Sequence, residues 1–534
     1  MQDLAEQRAR RDLKRIRQYL DEENYAAAVA AAEASILRFP RLPAARYWAA
    51  MVHLAQGRQR QAIERLREAI GLDGERPAYY AALARAQLAY GDVHPAIASA
   101  MRGVALNPLS VAILDGLAQV LREGGAHEQA LLLIDRALEQ RPRDPELLLS
   151  RSFLLRSLGR DDEALDVLQR VIQVAPAHGR AHWSLSRVED SDAAGHLAAL
   201  LPLASSVDGG SADAPWIDYA LYHRLESLGR HDEAVAALQC GAARQRRRIP
   251  FDASGNARIF ALMKSHLLAW EKATDKVHAA AAGAGDPVPI FILGMPRSGT
   301  TLVERLLGNH EAVVQGGESH EFATCVQHVL DAQHHSFLDE PLARRLGELD
   351  WPALAALYRT RLRERFGSVP FVTEKLPANY IYAAAIARAL PEARLVRVLR
   401  EPMDNCFSLF RQMYSGVNPF SFDQAELAQH YVAYEEWMRQ VAAVLPDRLL
   451  TIRYEQLVSA PVLVGRALYR FCGLEWNDDF ADPTHVNRPV ALPGTVRVDE
   501  PLHTRFVGRW RRYEAALQPL QRLLAAAGLV QRSA

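Results

Sequence analysis

Cysteine is scarce in this chain. Four cysteines occur among 534 residues, and they lie far apart, at Cys240, Cys325, Cys406 and Cys472. Zinc sites and small disulfide-bonded domains need cysteines that are closely paired or numerous, so this distribution argues against both. We expect small, buried apolar side chains at these four positions and a reducing compartment, the cytoplasm.

Long apolar runs and an excess of charge are also missing. No stretch reaches the ~18 consecutive apolar residues that predict a membrane-spanning helix, and the first residues are polar, unlike those of a signal peptide. Lysine and arginine together number 63, as do aspartate and glutamate, so the formal net charge is zero. Nucleic-acid-binding proteins usually carry a basic excess, so we expect no nucleic-acid partner. The missing apolar runs lead us to expect no membrane span.

The first 245 residues carry an internal repeat with a period of 34 residues. The repeated pairs are Gly57 and Ala62, Gly91 and Ala96, Gly125 and Ala130, and Gly159 and Ala164. Glycine permits the left-handed turn that ends one helix, and alanine lets the next helix pack closely against it. Prolines that would end the second helix follow the same period, at Pro108, Pro142 and Pro176.

This pattern resembles the tetratricopeptide repeat (TPR). It predicts an all-α solenoid of about five to six helical hairpins over residues 1–245, in which Gly229 and Ala234 restart the repeat out of phase. The concave face of such a solenoid often holds a peptide or partner protein. A dimerisation or spacer arm is an equally good interpretation, so a homo-oligomer also remains open.

The composition changes after the repeat. Residues 246–278 favour helix, and the Ala- and Gly-rich stretch Ala279–Pro287 is typical of a linker, so residues 246–286 are predicted to be a joint. Val288–Gly294 is a short apolar run that predicts a buried strand of an α/β domain over residues 287–534.

A loop bounded by Gly294 and Gly299 follows this strand and leads into a predicted helix. In that context, backbone N–H groups and the helix N-terminus converge on an anion. The nucleoside-triphosphate loop has the same glycine separation but requires a lysine where this chain has Thr300. A kinase or ATPase therefore fits poorly, and Arg297 supplies the cation instead.

The sequence Pro-Arg-Ser-Gly-Thr-Thr-Leu at 296–302 resembles the 5′-phosphosulfate loop of sulfotransferases. It is most similar to that of the tyrosylprotein sulfotransferases and of bacterial TPR-fused sulfotransferases, and the resemblance covers roughly 287–515. The resemblance implies a P-loop-like α/β fold with a central parallel sheet. It also implies 3′-phosphoadenosine 5′-phosphosulfate (PAPS) as sulfuryl donor, with no metal required.

The same resemblance assigns the donor-binding residues. Arg400 at the end of a predicted strand and Ser408 in the following helix match the pair that grips the 3′-phosphate of the nucleotide. Tyr454 matches a tyrosine near the adenine, and Arg509 aligns with a nucleotide-contacting lysine. The full predicted donor set is Arg297, Ser298, Gly299, Thr300, Thr301, Arg400, Ser408, Tyr454 and Arg509.

Three residues are predicted to act on the reacting atoms. The resemblance makes Glu318 the general base and Lys375 the cation that stabilises the transition state. Glu321 and His320 are competing candidates for the base. The family serine that aids the transition state is replaced here by Gly494. Either Thr495 next to it supplies that hydroxyl or the contribution is absent.

The sequence therefore predicts a PAPS-dependent sulfotransferase acting on an acceptor hydroxyl. In the leading hypothesis the acceptor belongs to a protein or peptide, with protein tyrosine the first choice, and the TPR arm recruits it. One alternative is a sulfotransferase for a small phenol, lipid or glycan. The other is a non-catalytic TPR adaptor with a nucleotide-binding domain.

Overall fold

The structure is a computed structural model that describes residues 2–188, 192–272, 283, 285–332, 337–485 and 502–531. The chain forms two compact units. One comprises Met1–Val167 with Asp331–Phe337, and the other comprises Leu168–Leu330 with Leu338–Ala534. None of the described helices has the length and apolar character needed to cross a membrane.

The N-terminal region is entirely helical. Its helices are α1 (Gln2–Asp21), α2 (Tyr25–Arg38), α3 (Pro43–Ala55), α4 (Gln59–Leu72), α5 (Pro77–Ala89), α6 (Val93–Ala105), α7 (Val111–Glu123), α8 (His127–Gln140), α9 (Pro145–Ser157), α10 (Asp161–Val174), α11 (Gly179–Ser186), α12 (Ala193–Ser206), α13 (Ala214–Ser227), α14 (His231–Arg248) and α15 (Ala253–Lys272). The repeat glycines lie between paired helices and have positive φ angles of 70° to 87°. The predicted helical hairpins are therefore confirmed.

The same hydrogen bond closes each of these turns. The residue after the glycine donates its N–H to the carbonyl five positions earlier, at 2.8–2.9 Å, which ends the first helix. The bonds are Arg58 to His53, Asp92 to Gln87, Ala126 to Leu121, Arg160 to Leu155 and Arg230 to Leu225. The repeat alanines of the second helices are at most 1 % exposed. Identical turns and close packing make this region an array of TPR-like hairpins.

The second unit contains one sheet of five parallel strands, counted over the described residues, in the order β2-β3-β1-β4-β5. The strands are β1 (Val288–Gly294), β2 (Val313–Gln315), β3 (Phe371–Glu374), β4 (Arg394–Leu399) and β5 (Leu449–Arg453). The predicted α/β fold with a central parallel sheet is confirmed. Helices cover both faces, because Ile290 and Ile292 pack in a cluster with the helices Thr300–Gly308 and Pro461–Cys472, whereas Phe291 contacts Phe322 and Tyr358.

The strands are connected mainly by helices. They are α16 (Thr300–Gly308), α17 (Glu321–Val329), α18 (Glu340–Arg345), α19 (Trp351–Phe366), α20 (Ala383–Ala389), α21 (Pro402–Phe410), α22 (Gln424–Val444), α23 (Tyr454–Ser459), α24 (Pro461–Cys472) and α25 (Gln518–Ala526). Short 3₁₀ turns lie at Leu346–Glu348, Pro377–Tyr382, Pro419–Phe422, Asp478–Ala481, Arg509–Tyr513 and Ala515–Leu517. Parallel strands need such crossovers, which bring every strand's carboxyl end to one edge.

The last helices of the repeat region belong to the same compact unit as the sheet. The Tyr219 hydroxyl donates to the Phe410 carbonyl at 3.1 Å, and the Gln245 amide donates to the Tyr414 carbonyl at 3.0 Å. The boundary between the two compact units lies near Val167. The domain boundaries predicted at 245 and 286 are not tested by this division and stay predictions. Most of the predicted linker Ala279–Pro287 lies outside the described residues.

The cysteine prediction is correct at three positions and wrong at one. Cys325, Cys406 and Cys472 are buried, whereas Cys240 is exposed. Cys240 lies on α14, where its thiol forms a hydrogen bond with Asp218, so a polar contact holds this side chain at the surface.

Candidate functional site

The five strands end at one edge of the sheet, and each strand is followed there by a residue predicted to belong to the site. These residues are Arg297 after β1, Glu318 after β2, Lys375 after β3, Arg400 after β4 and Tyr454 after β5. After the central strand β1, the chain first forms β2 and β3 on one side of it and then forms β4 and β5 on the other side. A crevice forms where the strand order reverses in this way, and ligands of α/β sheets bind there.

The loop between β1 and α16 is a tight left-handed turn. Gly294, Arg297 and Gly299 have φ angles of 152°, 70° and 108°. A Cβ atom on Gly294 would lie 2.5 Å from the Val398 carbonyl oxygen, and one on Gly299 would lie 2.7 Å from the Tyr454 ring. Only glycine fits at these two positions, which explains the spacing seen in the sequence.

Two side chains of this loop carry polar groups that suit an anion. The Ser298 hydroxyl is buried and has no hydrogen-bond partner in the described part of the chain. The Arg297 guanidinium donates from Nε to the Ser408 hydroxyl at 3.4 Å. The backbone N–H groups at the N-terminus of α16 add a partial positive charge beside them. A buried unpaired hydroxyl, a cation and a helix N-terminus together fit an anion such as phosphate or sulfate.

Arg400 holds this loop in place. Its Nη1 donates to the Arg297 carbonyl at 3.1 Å, and its Nη2 donates to the Phe506 carbonyl at 2.7 Å. The guanidinium carbon also lies 4.7 Å from the centre of the Tyr454 ring. Burial lowers the pKa of the Arg400 guanidinium and raises that of the Tyr454 phenol. The structure thus brings Arg297, Ser408, Arg400 and Tyr454 together.

The segment around Arg509 is anchored by two carboxylates that sequence reasoning missed. Asp404 in α21 accepts hydrogen bonds from the backbone N–H groups of Gly508 and Trp510, at 2.5 and 3.2 Å. Arg509 itself forms an ion pair with Glu226 of α13 at 2.8 Å. Because these partners are more than a hundred residues apart in the chain, no local pattern could have identified either contact.

Glu318 and Lys375 form an ion pair beside the loop. The Lys375 Nζ atom lies 2.6 Å from the Glu318 Oε1 atom. The lysine side chain is 0 % exposed and the glutamate side chain 42 % exposed. The backbone N–H of Lys375 also donates to the Gly317 carbonyl at 2.9 Å, which fixes the two strand ends relative to each other. A buried cation and an accessible carboxylate therefore share one position at the crevice.

The competing bases differ in their surroundings. Glu321 accepts a hydrogen bond from Arg361 at 2.7 Å, so its carboxylate is committed to a structural ion pair. Desolvation lowers the pKa of the His320 imidazole, and the Glu318 carboxylate opposes that shift.

Gly494 and Thr495 lie outside the described residues. Over those same described residues, no group of three or more histidine, cysteine or acidic side chains could hold a metal ion.

Comparison with known sequences agrees with this site. Residues 289–478 match a family model described as the sulfotransferase family. An uncharacterised protein of Aquifex aeolicus is 26 % identical over 427 residues, which are 76 % of this chain and 54 % of that protein. The protein-tyrosine sulfotransferase of Drosophila melanogaster is 24 % identical over 41 % of this chain and 46 % of its own. Protein-tyrosine sulfotransferase 1 of Danio rerio is 26 % identical over 35 % of this chain and 54 % of its own.

The chain spans about half the length of these curated relatives. Among solved structures, the TPR protein TTC0263 of Thermus thermophilus is 23 % identical, with a TM-score of 0.27, over 32 % of this chain and 92 % of its own. MamA protein is 18 % identical, with a TM-score of 0.28, over 32 % of this chain and 92 % of its own. The hairpin geometry described above, rather than these matches, carries the TPR assignment. The C-terminal region of this chain therefore contains a domain that matches the sulfotransferase family model and is homologous to the protein-tyrosine sulfotransferases.

Proposed function

We propose that this protein transfers a sulfuryl group from PAPS to an acceptor hydroxyl, with protein tyrosine as the acceptor. The observation that carries the proposal is the ion pair between Lys375 and Glu318 at the same sheet edge as the anion-binding loop. Sulfuryl transfer needs a base for the acceptor proton and a cation for charge that develops on the leaving oxygen. The ion pair holds one group of each kind.

The donor side of the proposal rests on the loop and its surroundings. When bound, PAPS supplies a sulfuryl group on a phosphate leaving group. The N-terminus of α16, the Arg297 guanidinium and the unpaired Ser298 hydroxyl would hold its 5′ end, with Thr300 and Thr301 as further donors. Gly299 leaves the room for this close approach, since a side chain there would meet Tyr454.

The 3′ end of the nucleotide is assigned to α21. Arg400 lies two residues before this helix and Ser408 lies in its last turn, where it already contacts Arg297. A second phosphate-binding pair there would distinguish PAPS from ATP. Tyr454 offers an aromatic face for adenine, and Arg509 would contact the nucleotide beside it.

The chemical roles follow from exposure and charge. Glu318, whose side chain is 42 % exposed, is reachable by an acceptor and would take the proton of its hydroxyl. Lys375, which is fully buried, would donate from Nζ to the oxygen on which negative charge develops. Thr495 would add a hydroxyl to the same oxygen. Transfer therefore requires Lys375 to turn from Glu318 toward the donor.

The acceptor assignment is supported by the relatives that are named protein-tyrosine sulfotransferases. The TPR-like hairpins provide a surface of the kind that holds peptides, so we assign them the recruitment of the acceptor protein. The acceptor would then be selected by a region separate from the residues that perform the transfer.

Two measurements on the purified full chain test this proposal. Calorimetric titration with 3′-phosphoadenosine 5′-phosphate (PAP), the desulfated product, should give an affinity in the micromolar range or tighter, about −8 kcal/mol or better. Incubation with labelled PAPS and a panel of tyrosine peptides, small phenols and glycans should label the peptides. If only phenols or glycans are labelled, the acceptor is a small molecule or glycan and not protein tyrosine. If PAP does not bind, the nucleotide assignment is rejected.

A further inference from the structure

Glu304 is a buried carboxylate that the proposed reaction has not yet used. It lies in α16, the helix that begins at the anion-binding loop, and it is 0 % exposed. Its Oε1 atom accepts hydrogen bonds from the Gly317 backbone N–H at 3.0 Å and from the Thr373 hydroxyl at 2.8 Å. A carboxylate with no access to water needs a reason to be there, because burial disfavours its charge.

The two donors to Glu304 belong to the segments that carry the proposed catalytic pair. Gly317 directly precedes Glu318, and Thr373 lies two residues before Lys375, on the same face of β3. The Thr373 hydroxyl also accepts from the Gly316 N–H at 3.1 Å. Glu304 therefore joins the ends of β2 and β3 and fixes the distance between the general base and the lysine.

The second oxygen of Glu304 has a different role. Glu304 Oε2 is buried and has no hydrogen-bond partner within the described ranges. Burial raises the pKa of the Glu304 carboxyl, and the Lys375 ammonium is the strongest influence opposing that rise, with Arg305 of the same helix contributing less. Lys375 thus lies within electrostatic range of two carboxylates: Glu318, which it contacts, and Glu304, which it does not.

We infer that Glu304 is the lasting counter-ion of Lys375 and the positioning residue of the catalytic pair, an inference that rests on the proposed function. During transfer the bridging S–O bond breaks, its electron pair stays on the phosphate, and the acceptor oxygen bonds to sulfur. The acceptor proton goes to Glu318, which becomes neutral. Once Glu318 is neutral, the departing phosphate balances the Lys375 ammonium, and after that product leaves, Glu304 balances it from within the protein provided that it keeps its charge.

The variant Glu304→Gln separates charge from position. Glutamine keeps the side-chain length and can still accept from Gly317 and Thr373 through its amide oxygen, but it carries no charge. We expect kcat to fall about tenfold or more, which corresponds to a loss of about 1.4 kcal/mol of transition-state stabilisation. We also expect the basic limb of the pH–rate profile to move to lower pH, because a neutral amide at this position no longer stabilises a positive charge nearby. The affinity for PAP should stay unchanged.

Glu374→Gln is the matched control. Glu374 is also a buried carboxylate of β3, next to Lys375 in the chain, but it accepts from Tyr358 and Asn379 instead. Its variant should keep the wild-type position of the basic limb. A Glu304→Gln enzyme with wild-type kcat and wild-type pH profile would overturn the inference. So would a Glu374→Gln enzyme whose basic limb moves by the same amount.

A stability measurement keeps the inference testable if Glu304→Gln does not fold. In Glu318→Gln, Lys375 loses its contacting carboxylate, yet Glu304 should still compensate it, so the melting temperature should remain close to that of the wild type. A loss of about 4 °C or more, as expected for an uncompensated buried charge in a unit of this size, would contradict the inference. This measurement needs no turnover. Absence of transfer by the wild type would instead reject the proposed function.

Discussion

Replacing Glu226 by glutamine tests how the helical hairpin α13–α14 is joined to the sulfotransferase-family domain within the second unit. Glu226 accepts a hydrogen bond from Arg411 at 2.9 Å and forms an ion pair with Arg509 at 2.8 Å. It also accepts from the hydroxyls of Tyr222 and Tyr513, at 2.9 and 3.0 Å. One side chain of the repeat region thus anchors both the end of α21 and the segment that carries the proposed nucleotide contact.

The expected cost follows from burial. The Glu226 side chain is 9 % exposed, and the two arginines are 19 % and 20 % exposed. Removing one partner of a buried ion pair costs about 3–5 kcal/mol, and the partial exposure of the arginines places this case at the low end, about 3 kcal/mol. The change is large because it leaves two guanidinium groups facing a neutral amide.

The same ion pairs predict a pH dependence. Burial raises the pKa of the Glu226 carboxyl, but Arg411 and Arg509 outweigh it, so the pKa lies below the ordinary value for glutamate. The folded state then favours the charged form more strongly than the unfolded chain does. This contribution is complete above the unfolded pKa of about 4.3 and is lost as the pH falls through the lower folded-state value.

Urea denaturation of the wild type and Glu226→Gln at pH 7 and at acidic pH measures both effects. Glu233→Gln is the matched control, since Glu233 forms an ion pair with Arg230 in which the side chains are 57 % and 43 % exposed. That variant should lose far less stability than Glu226→Gln, because exposed ion pairs contribute little. Equal losses in the two variants, or a Glu226→Gln deficit that does not narrow toward acidic pH, would refute the reasoning.

Three further predictions concern the site and its surroundings. Gly299→Ala should lose about 1–3 kcal/mol of stability, because alanine is strained in this left-handed backbone and its Cβ atom would clash with Tyr454. The variant should also bind PAP more weakly. Thermal unfolding and calorimetric titration that both match the wild type would contradict this prediction. Arg400→Met should lower the affinity for PAP about tenfold or more relative to the affinity for adenosine 5′-phosphate, since a hydrogen bond to a charged group contributes about 1.5–3 kcal/mol. An equal loss of affinity for both ligands would show that Arg400 does not contact the 3′-phosphate. Burial raises the pKa of Glu374 to about 7, so this carboxyl binds a proton more tightly in the folded protein than in the unfolded chain. The stability of the wild type should therefore decline as the pH rises from the pKa of glutamate in the unfolded chain to about 7. Glu374→Gln should lack that decline in urea denaturation at pH 5 to 8, and a parallel decline would place the effect elsewhere.

Local features of the fold are readable in the sequence because neighbours in the chain determine them. The 34-residue spacing of Gly57 and its counterparts reports a turn in which only a few adjacent residues take part. The loop from Gly294 to Gly299 is specified in the same way, by a strand end and a helix start. These elements, together with the parallel sheet, are confirmed.

Contacts between distant segments follow a different rule. Glu226 meets Arg509, and Glu304 meets Thr373, only after the hairpins and strands have packed. Nothing in the neighbourhood of Glu226 distinguishes it from the many exposed glutamates of the repeat helices. The residues that position the proposed catalytic groups were therefore not predicted, whereas the groups themselves, Glu318 and Lys375, were identified through the family resemblance and stay proposals.

Transfer of labelled sulfate by Glu318→Gln tests the central claim most directly. With PAPS and a tyrosine peptide, the wild type should label the peptide, and Glu318→Gln should do so at least about a hundredfold more slowly, the contribution of a general base. Its affinity for PAP should be unchanged. Glu311→Gln, an exposed glutamate at the other end of β2, should label the peptide like the wild type. Wild-type transfer by Glu318→Gln would contradict the account and move the base to His320, and no transfer by the wild type would contradict the proposed reaction itself.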